Sequence, residues 1–132
     1  MILYVDSSAV VKLYLEEPAS ERARATLAGQ RWATAVHTYT EVSRVLWQAL
    51  VDPALSEARS MFEADWAETH VVELDEEICR NAARVIGETG VKTLDALHLS
   101  AAERAGATAA FVTFDVKQAK AARSLGFRVL PE

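Results

Sequence analysis

The chain has 132 residues, 51% of them hydrophobic and 25% charged, which is enough for one domain with one core and is the composition of an ordinary soluble globule. No apolar run approaches the roughly 18 residues that span a bilayer. The formal net charge of −5 argues against a general nucleic-acid binder, because basic faces supply that affinity.

The N-terminal Met-Ile-Leu-Tyr-Val-Asp has no basic n-region and reads as a strand leading into a carboxylate, not as a signal peptide. Residues 2–5 form a short buried strand, and Ser7 and Ser8 are expected to cap a helix over 9–15. Pro18 opens a helix over 19–28, which Gly29 closes. Residues 32–36 are strand-like. Thr38 and Thr40 offer caps for a helix running to about residue 51. Pro53 opens the next, with Leu55, Ala58, Phe62 and Trp66 on one apolar stripe. Residues 71–74 form a strand, and Asp75 caps a helix to about residue 88. Thr93 caps a helix over 94–105, closed by Gly106. A strand over 109–113, a helix over 116–125 ended by Gly126, and a last strand over 127–130 complete the chain. Strands alternating with helices predict a single α/β domain over 1–132, with a mostly parallel sheet covered on both faces. The single cysteine, Cys79, excludes an internal disulfide. It fits a reducing, cytoplasmic compartment, and it is expected to pack within its helix.

The acids are informative by position. Asp6 ends the first strand and Asp115 the fourth; in open α/β sheets ligands bind beyond the carboxyl ends of the strands. Glu41 and Asp95 fall in first helical turns, where free N–H groups and the helix dipole favour a carboxylate. Asp95 sits in the apolar run Thr-Leu-Asp-Ala-Leu-His-Leu, and Glu41 edges the stripe of Val42, Val45, Leu46 and Ala49. Acids turned toward a core need a partner or a metal. Several in one pocket repel one another, and a divalent cation relieves the repulsion. Oxygen ligands select Mg²⁺ or Mn²⁺ over zinc. His37, His70 and His98 show no ligand spacing to each other or to Cys79. Taken singly, each acid has an ordinary alternative: Asp6 and Asp115 as helix caps, Glu41 as a surface residue, Asp95 paired with His98 one turn along.

Four segments in order, Ile-Leu-Tyr-Val-Asp6-Ser-Ser-Ala, Tyr-Thr-Glu41-Val-Ser-Arg, Thr-Leu-Asp95-Ala-Leu-His-Leu-Ser-Ala-Ala and Phe-Val-Thr-Phe-Asp115, give the whole chain a resemblance to PIN-domain proteins, most of all the VapC toxins of type II toxin–antitoxin modules. The resemblance implies a three-layer sandwich with strand order 3-2-1-4-5, a homodimer, and a Mg²⁺-dependent endoribonuclease restrained by a VapB-type antitoxin. It maps Asp6, Glu41, Asp95 and Asp115 onto the family's four acids, Thr113 onto its Ser/Thr before the last acid, and Ser7 onto the small polar residue after the first. Many relatives carry a further acid just beyond the last one. Here Val116, Lys117 and Gln118 follow, so the site relies on four.

The expected chemistry is hydrolysis of RNA by water, with Asp6, Asp95 and Asp115 as metal ligands and Glu41 binding through water or orienting the nucleophile. Lys12, Arg44, Lys92 and Lys117 lie close to these acids in sequence and are expected to rim the crevice and hold phosphates of a transfer or ribosomal RNA loop. His98 is expected to be structural, and Trp32, Trp47 and Trp66 to serve the core or a dimer contact. A phospho-receiver domain is a rival, but it needs paired acids after the first strand, where Asp6-Ser7-Ser8 stands. A non-catalytic PIN-like scaffold for RNA or protein is the other alternative.

Overall fold

A computed structural model describes residues 2–106 and 110–132. Five strands, β1 (Leu3–Val5), β2 (Trp32–Ala35), β3 (His70–Val72), β4 (Ala110–Val112) and β5 (Val129–Leu130), form one sheet in the order β3-β2-β1-β4-β5. Each of the four pairings is parallel, with Tyr4 opposite Ala33 on one side and Phe111 on the other. The predicted order and layering are therefore observed. Ala109, the expected first residue of the fourth strand, lies outside the described residues.

Parallel strands need helical crossovers, and these cover both faces. Because strand side chains alternate, Leu3 and Val5 face one layer and Tyr4 the other. The first layer is α1 (Ser7–Val10) with a 3₁₀ turn over Val11–Leu13, α2 (Ser20–Leu27), α3 (Thr38–Ala49) and α4 (Ala54–Ala67), packed through Val10, Leu27, Val42, Leu46 and Phe62. The second is α5 (Glu76–Thr89), α6 (Thr93–Ala105) and α7 (Val116–Ser124), packed through Ile78, Val85, Leu99 and Ala122. The expected stripe on α4 is present: Leu55, Ala58 and Phe62 are buried and Trp66 packs against them.

Three local expectations are corrected. The first helix is one α-turn followed by a tighter turn, and its cap is Asp6, not Ser7 or Ser8. Thr38 and Thr93 are inside their helices rather than caps. The hydroxyl of Thr38 meets that of buried Thr34, four residues earlier near the end of β2, at 2.7 Å, so it bonds back to the strand rather than capping the helix. Cys79 is exposed, not packed. At the end of α5, Gly90 takes φ +74°, a left-handed turn that costs a side chain-bearing residue energy and that lets α6 pack back against α5. Among the described residues no helix is long and apolar enough to cross a membrane.

Candidate active site

β1 and β4 are neighbours at the place where the strand order reverses, the point at which such sheets open a crevice. Asp6 leaves β1 there and caps α1. Its Oδ1 accepts from the Ala9 N–H (3.2 Å) and the Ser8 hydroxyl (2.7 Å), and its Oδ2 from the Thr113 hydroxyl (2.5 Å). The same Thr113 oxygen accepts the N–H of Asp115 (3.1 Å). Asp115 in turn caps α7 through the Gln118 N–H (3.0 Å), and the Gln118 side-chain amide donates to the carbonyl of Asp95 (3.0 Å). A continuous chain of hydrogen bonds thus ties Asp6, Asp115 and Asp95 together. Capping and convergence coexist, since a carboxylate has two oxygens and a cap uses one.

The acids act on one another electrostatically. Asp6 is buried, which pushes its carboxyl up; His98, the two hydroxyls and the Ala9 N–H oppose this. Asp95, half-buried, is also raised, first by burial, then by the charge of Asp115, with Asp6 and Glu41 adding to it against His98. Among the described residues Asp6, Asp95 and Asp115 form no ion pair, so His98 opposes their like charges only from beyond ion-pair distance.

Glu41 is held differently. Its Oε1 accepts from His98 Nε2 at 2.9 Å, and His37 Nε2 lies 3.5 Å away. Burial raises its carboxyl, but the His98 hydrogen bond, the two imidazoles and Ser7 together hold it below the ordinary carboxylate range. His98 does not pair with Asp95. It points down onto the sheet face that α6 covers, with Nδ1 2.7 Å from the Tyr4 hydroxyl, which itself accepts the Ala35 N–H (3.0 Å). Tyr4 is fully buried and its phenol pKa is raised by burial, so it keeps its proton. Its hydrogen then goes to His98 Nδ1 and leaves a hydrogen on Nε2 for Glu41, an assignment made from the bonding pattern.

The expectation that the histidines have no ligand relation is overturned: His37, Glu41 and His98 each bring a ligand atom within 4.8 Å of the others. The visible half of the signal was His37 four residues before Glu41, one helical turn along the same face. The missed residues of the site are Ser8, His37, His98, Tyr4 and Gln118. At Gln118, three residues after the cap, a reciprocal bond to the cap's own N–H is the usual pattern. Thr113 takes that N–H instead and frees Gln118 for Asp95.

Burial lowers His37 to about 4, with the charge of His98 helping. Its neutral form is preferred in the fold, so its contribution to stability is complete above its ordinary value of 6.5 and is lost as pH falls toward 4. In EDTA, His37→Gln should flatten the loss of urea resistance between about pH 7 and 4. Superimposable pH profiles for the two proteins would contradict that.

A groove of about 800 Å³ runs between the end of α5, the start of α6 and α7, lined by Lys92, Asp95, Asp115, Lys117 and Lys120 among others. Two of the four anticipated bases, Lys92 and Lys117, line it, and Lys120 joins them. Arg44 is exposed on α3 and is not among the groove residues. The Lys12 ammonium is engaged by the Ser8 carbonyl (3.3 Å) and Glu17 (3.5 Å), and lies over the Phe114 ring.

The donor set suits a hard divalent cation: it is all oxygen, it gathers negative charge, and Asp115 opens it to solvent. Comparison with known proteins agrees with the fold. The PIN domain family model matches residues 3–124, and the chain belongs to that family. It is 31% identical over 133 residues to Ribonuclease VapC46 of Mycobacterium tuberculosis, covering 97% of this chain and 95% of that protein. It is also 31% identical over 135 residues to Ribonuclease VapC35 of the same species, covering 98% and 96%. Among solved structures, M. tuberculosis VapC20, described as a sarcin-ricin loop cleaving toxin, superposes with a TM-score of 0.72 at 16% identity, covering 96% of each chain. The toxin–antitoxin complex from Klebsiella pneumoniae gives 0.68 at 14% identity over 89% of each.

Proposed function

We propose that this protein is a VapC-type endoribonuclease, dependent on Mg²⁺ or Mn²⁺ and controlled by a VapB-type antitoxin. The observation that carries the reading is the convergence of Asp6, Asp95 and Asp115, linked through Thr113 and Gln118, at the sheet's switch point. The relatives named ribonucleases over nearly the whole chain support it.

Asp6, Asp95 and Asp115 would hold the cation, and Glu41 would act from the rim. When bound, such a cation lowers the pKa of water and stabilises negative charge on the phosphodiester and its leaving oxygen. The chain's own contribution is positioning. Ser8 and Thr113 fix both oxygens of Asp6, Gln118 fixes the backbone at Asp95, and His98 fixes Glu41 through one of its oxygens. Lys92, Lys117 and Lys120 hold flanking phosphates along the groove and offset the chain's negative charge locally. An acid cluster without cation also suits a guanidinium, which pairs with carboxylates in bidentate fashion, so a basic, Arg-bearing antitoxin segment is the natural inhibitor. Exposed Trp47, Val51 and Met61 on α3, α4 and their link fit a face covered by a second copy. The test is incubation with structured RNA: cleavage with Mg²⁺ and none with EDTA supports the enzyme, whereas binding without cleavage in either supports the scaffold.

Phosphate contacts carry little sequence information. Lys92→Ala and Lys117→Ala should therefore each reduce the log–log salt slope of RNA binding by about 0.7 without moving the cleavage site. Lys12→Ala, whose amine already has protein partners, should change the slope less. The measurement is a binding titration at several salt concentrations on a cleavage-dead background. Unchanged slopes for Lys92 and Lys117 would make them ordinary solvated lysines.

A further inference from the structure

We propose that His37, Glu41 and His98 form a second metal site, selective for Zn²⁺, which draws Glu41 away from the acid cluster and so restrains cleavage. The metal-binding part stands on the geometry alone; the effect on cleavage rests on the nuclease reading above.

The three ligand atoms lie within 4.8 Å of one another, with His98 Nε2 at 2.9 Å and His37 Nε2 at 3.5 Å from the same Glu41 oxygen. These separations bracket the edge of about 3.4 Å that a tetrahedral ion with bonds of about 2.1 Å requires. Imidazole and carboxylate donors suit zinc and its neighbours, whereas the all-oxygen cluster suits Mg²⁺. Three protein ligands leave a fourth position open, and the side chains of Glu41 and His37 are only partly buried, so an ion can enter.

The hydrogen bonding around the trio is incomplete without an ion. Two imidazole nitrogens compete for one carboxylate oxygen, and His98 wins. His37 is left with a long contact of 3.4 Å to the Leu94 carbonyl, and its Nδ1 is buried with no partner among the described residues. A native imidazole left so poorly bonded, its ring 4.2 Å from that of a second imidazole, calls for an explanation. An ion shared by both Nε2 atoms resolves their competition for the single Glu41 oxygen, and His37 Nδ1, on the far side of the ring, is unaffected by it. The support behind the site is already in place. A ligating histidine ordinarily directs its other nitrogen to an oxygen partner, and His98 Nδ1 has the Tyr4 hydroxyl at 2.7 Å. That hydroxyl can donate to Nδ1 in the metal-free tautomer or accept from it once Nε2 binds an ion.

The experiment is calorimetric titration of the intact protein with Zn²⁺ in excess Mg²⁺, with Co²⁺ absorption as a second readout. The wild type should bind one ion per chain, and its cobalt spectrum should show nitrogen ligation. His37→Gln should lose at least about tenfold in zinc affinity, as the loss of a ligand or its support commonly does, and Asp115→Asn should keep it. Zinc should slow wild-type cleavage, and His37→Gln should be less sensitive when each is compared with its own zinc-free rate. Equal affinity in His37→Gln, loss in Asp115→Asn, or an all-oxygen cobalt spectrum would overturn the site. Tight binding with equal zinc sensitivity would overturn the competition for Glu41. If the wild type cleaves nothing with Mg²⁺, the nuclease reading fails, and the titrations still judge the metal site.

Discussion

Asp6→Asn and Asp95→Asn should each abolish Mg²⁺-dependent RNA cleavage while leaving the fold intact. Asparagine keeps the shape and one oxygen. At position 6 that oxygen can still accept from Ala9 and Ser8, and the Thr113 hydroxyl can turn to accept from the new amide. What disappears is a negative charge at the centre of the cluster. Removing an outer partner of a metal site commonly costs about 10–100-fold, so removing a ligand should cost more. Asp115 is exposed at the groove, and Asp115→Asn should cost less than either. Initial rates at saturating Mg²⁺, beside circular dichroism of each variant, make the measurement. Near wild-type rates in either Asp6→Asn or Asp95→Asn would remove the site assignment.

Strong local patterns were legible in the sequence. Apolar periodicity located the helices on both faces, and the acids at strand ends pointed to the crevice before any coordinates did. Choices decided by tertiary contacts were not. Thr38 looks like a cap, yet buried Thr34 claims its hydroxyl. His98 looks like a partner for Asp95 one turn away. However, Asp95 is half-buried at the groove while His98 is fully buried toward β1, where Tyr4 and Glu41 wait. Gln118 drew notice only for not being an acid, because nothing local shows that Thr113 would satisfy the Asp115 N–H and release the glutamine side chain. The acids were visible because charge in an apolar run is conspicuous. The neutral groups that fix them were not, because Ser, Thr, Gln and Tyr are unremarkable in a sequence until the fold supplies their partners.

Asp95, one of the proposed metal ligands, should be a burden on the metal-free fold. Asp95 is raised by burial and by Asp115, Asp6 and Glu41. A carboxylate raised in the folded state contributes stability that is complete below its unfolded value of 3.8 and is lost as pH rises through the folded value. Near neutral pH Asp95 therefore opposes folding unless a cation is present. In EDTA at pH 7, Asp95→Asn should be more stable than the wild type, by on the order of 1 kcal/mol. At acid pH, where the wild-type carboxyl holds its proton, the difference should shrink. Mg²⁺ should reverse the order: an ion bound only by the folded state stabilises the wild type in proportion to its affinity, and the variant has lost a ligand. Urea titrations of both proteins at two pH values, with EDTA and with Mg²⁺, give the full comparison. A wild type that is the more stable protein in EDTA at pH 7 would mean that the four acids are not in electrostatic conflict. Melting curves unmoved by Mg²⁺ in the wild type would mean that they do not hold the ion.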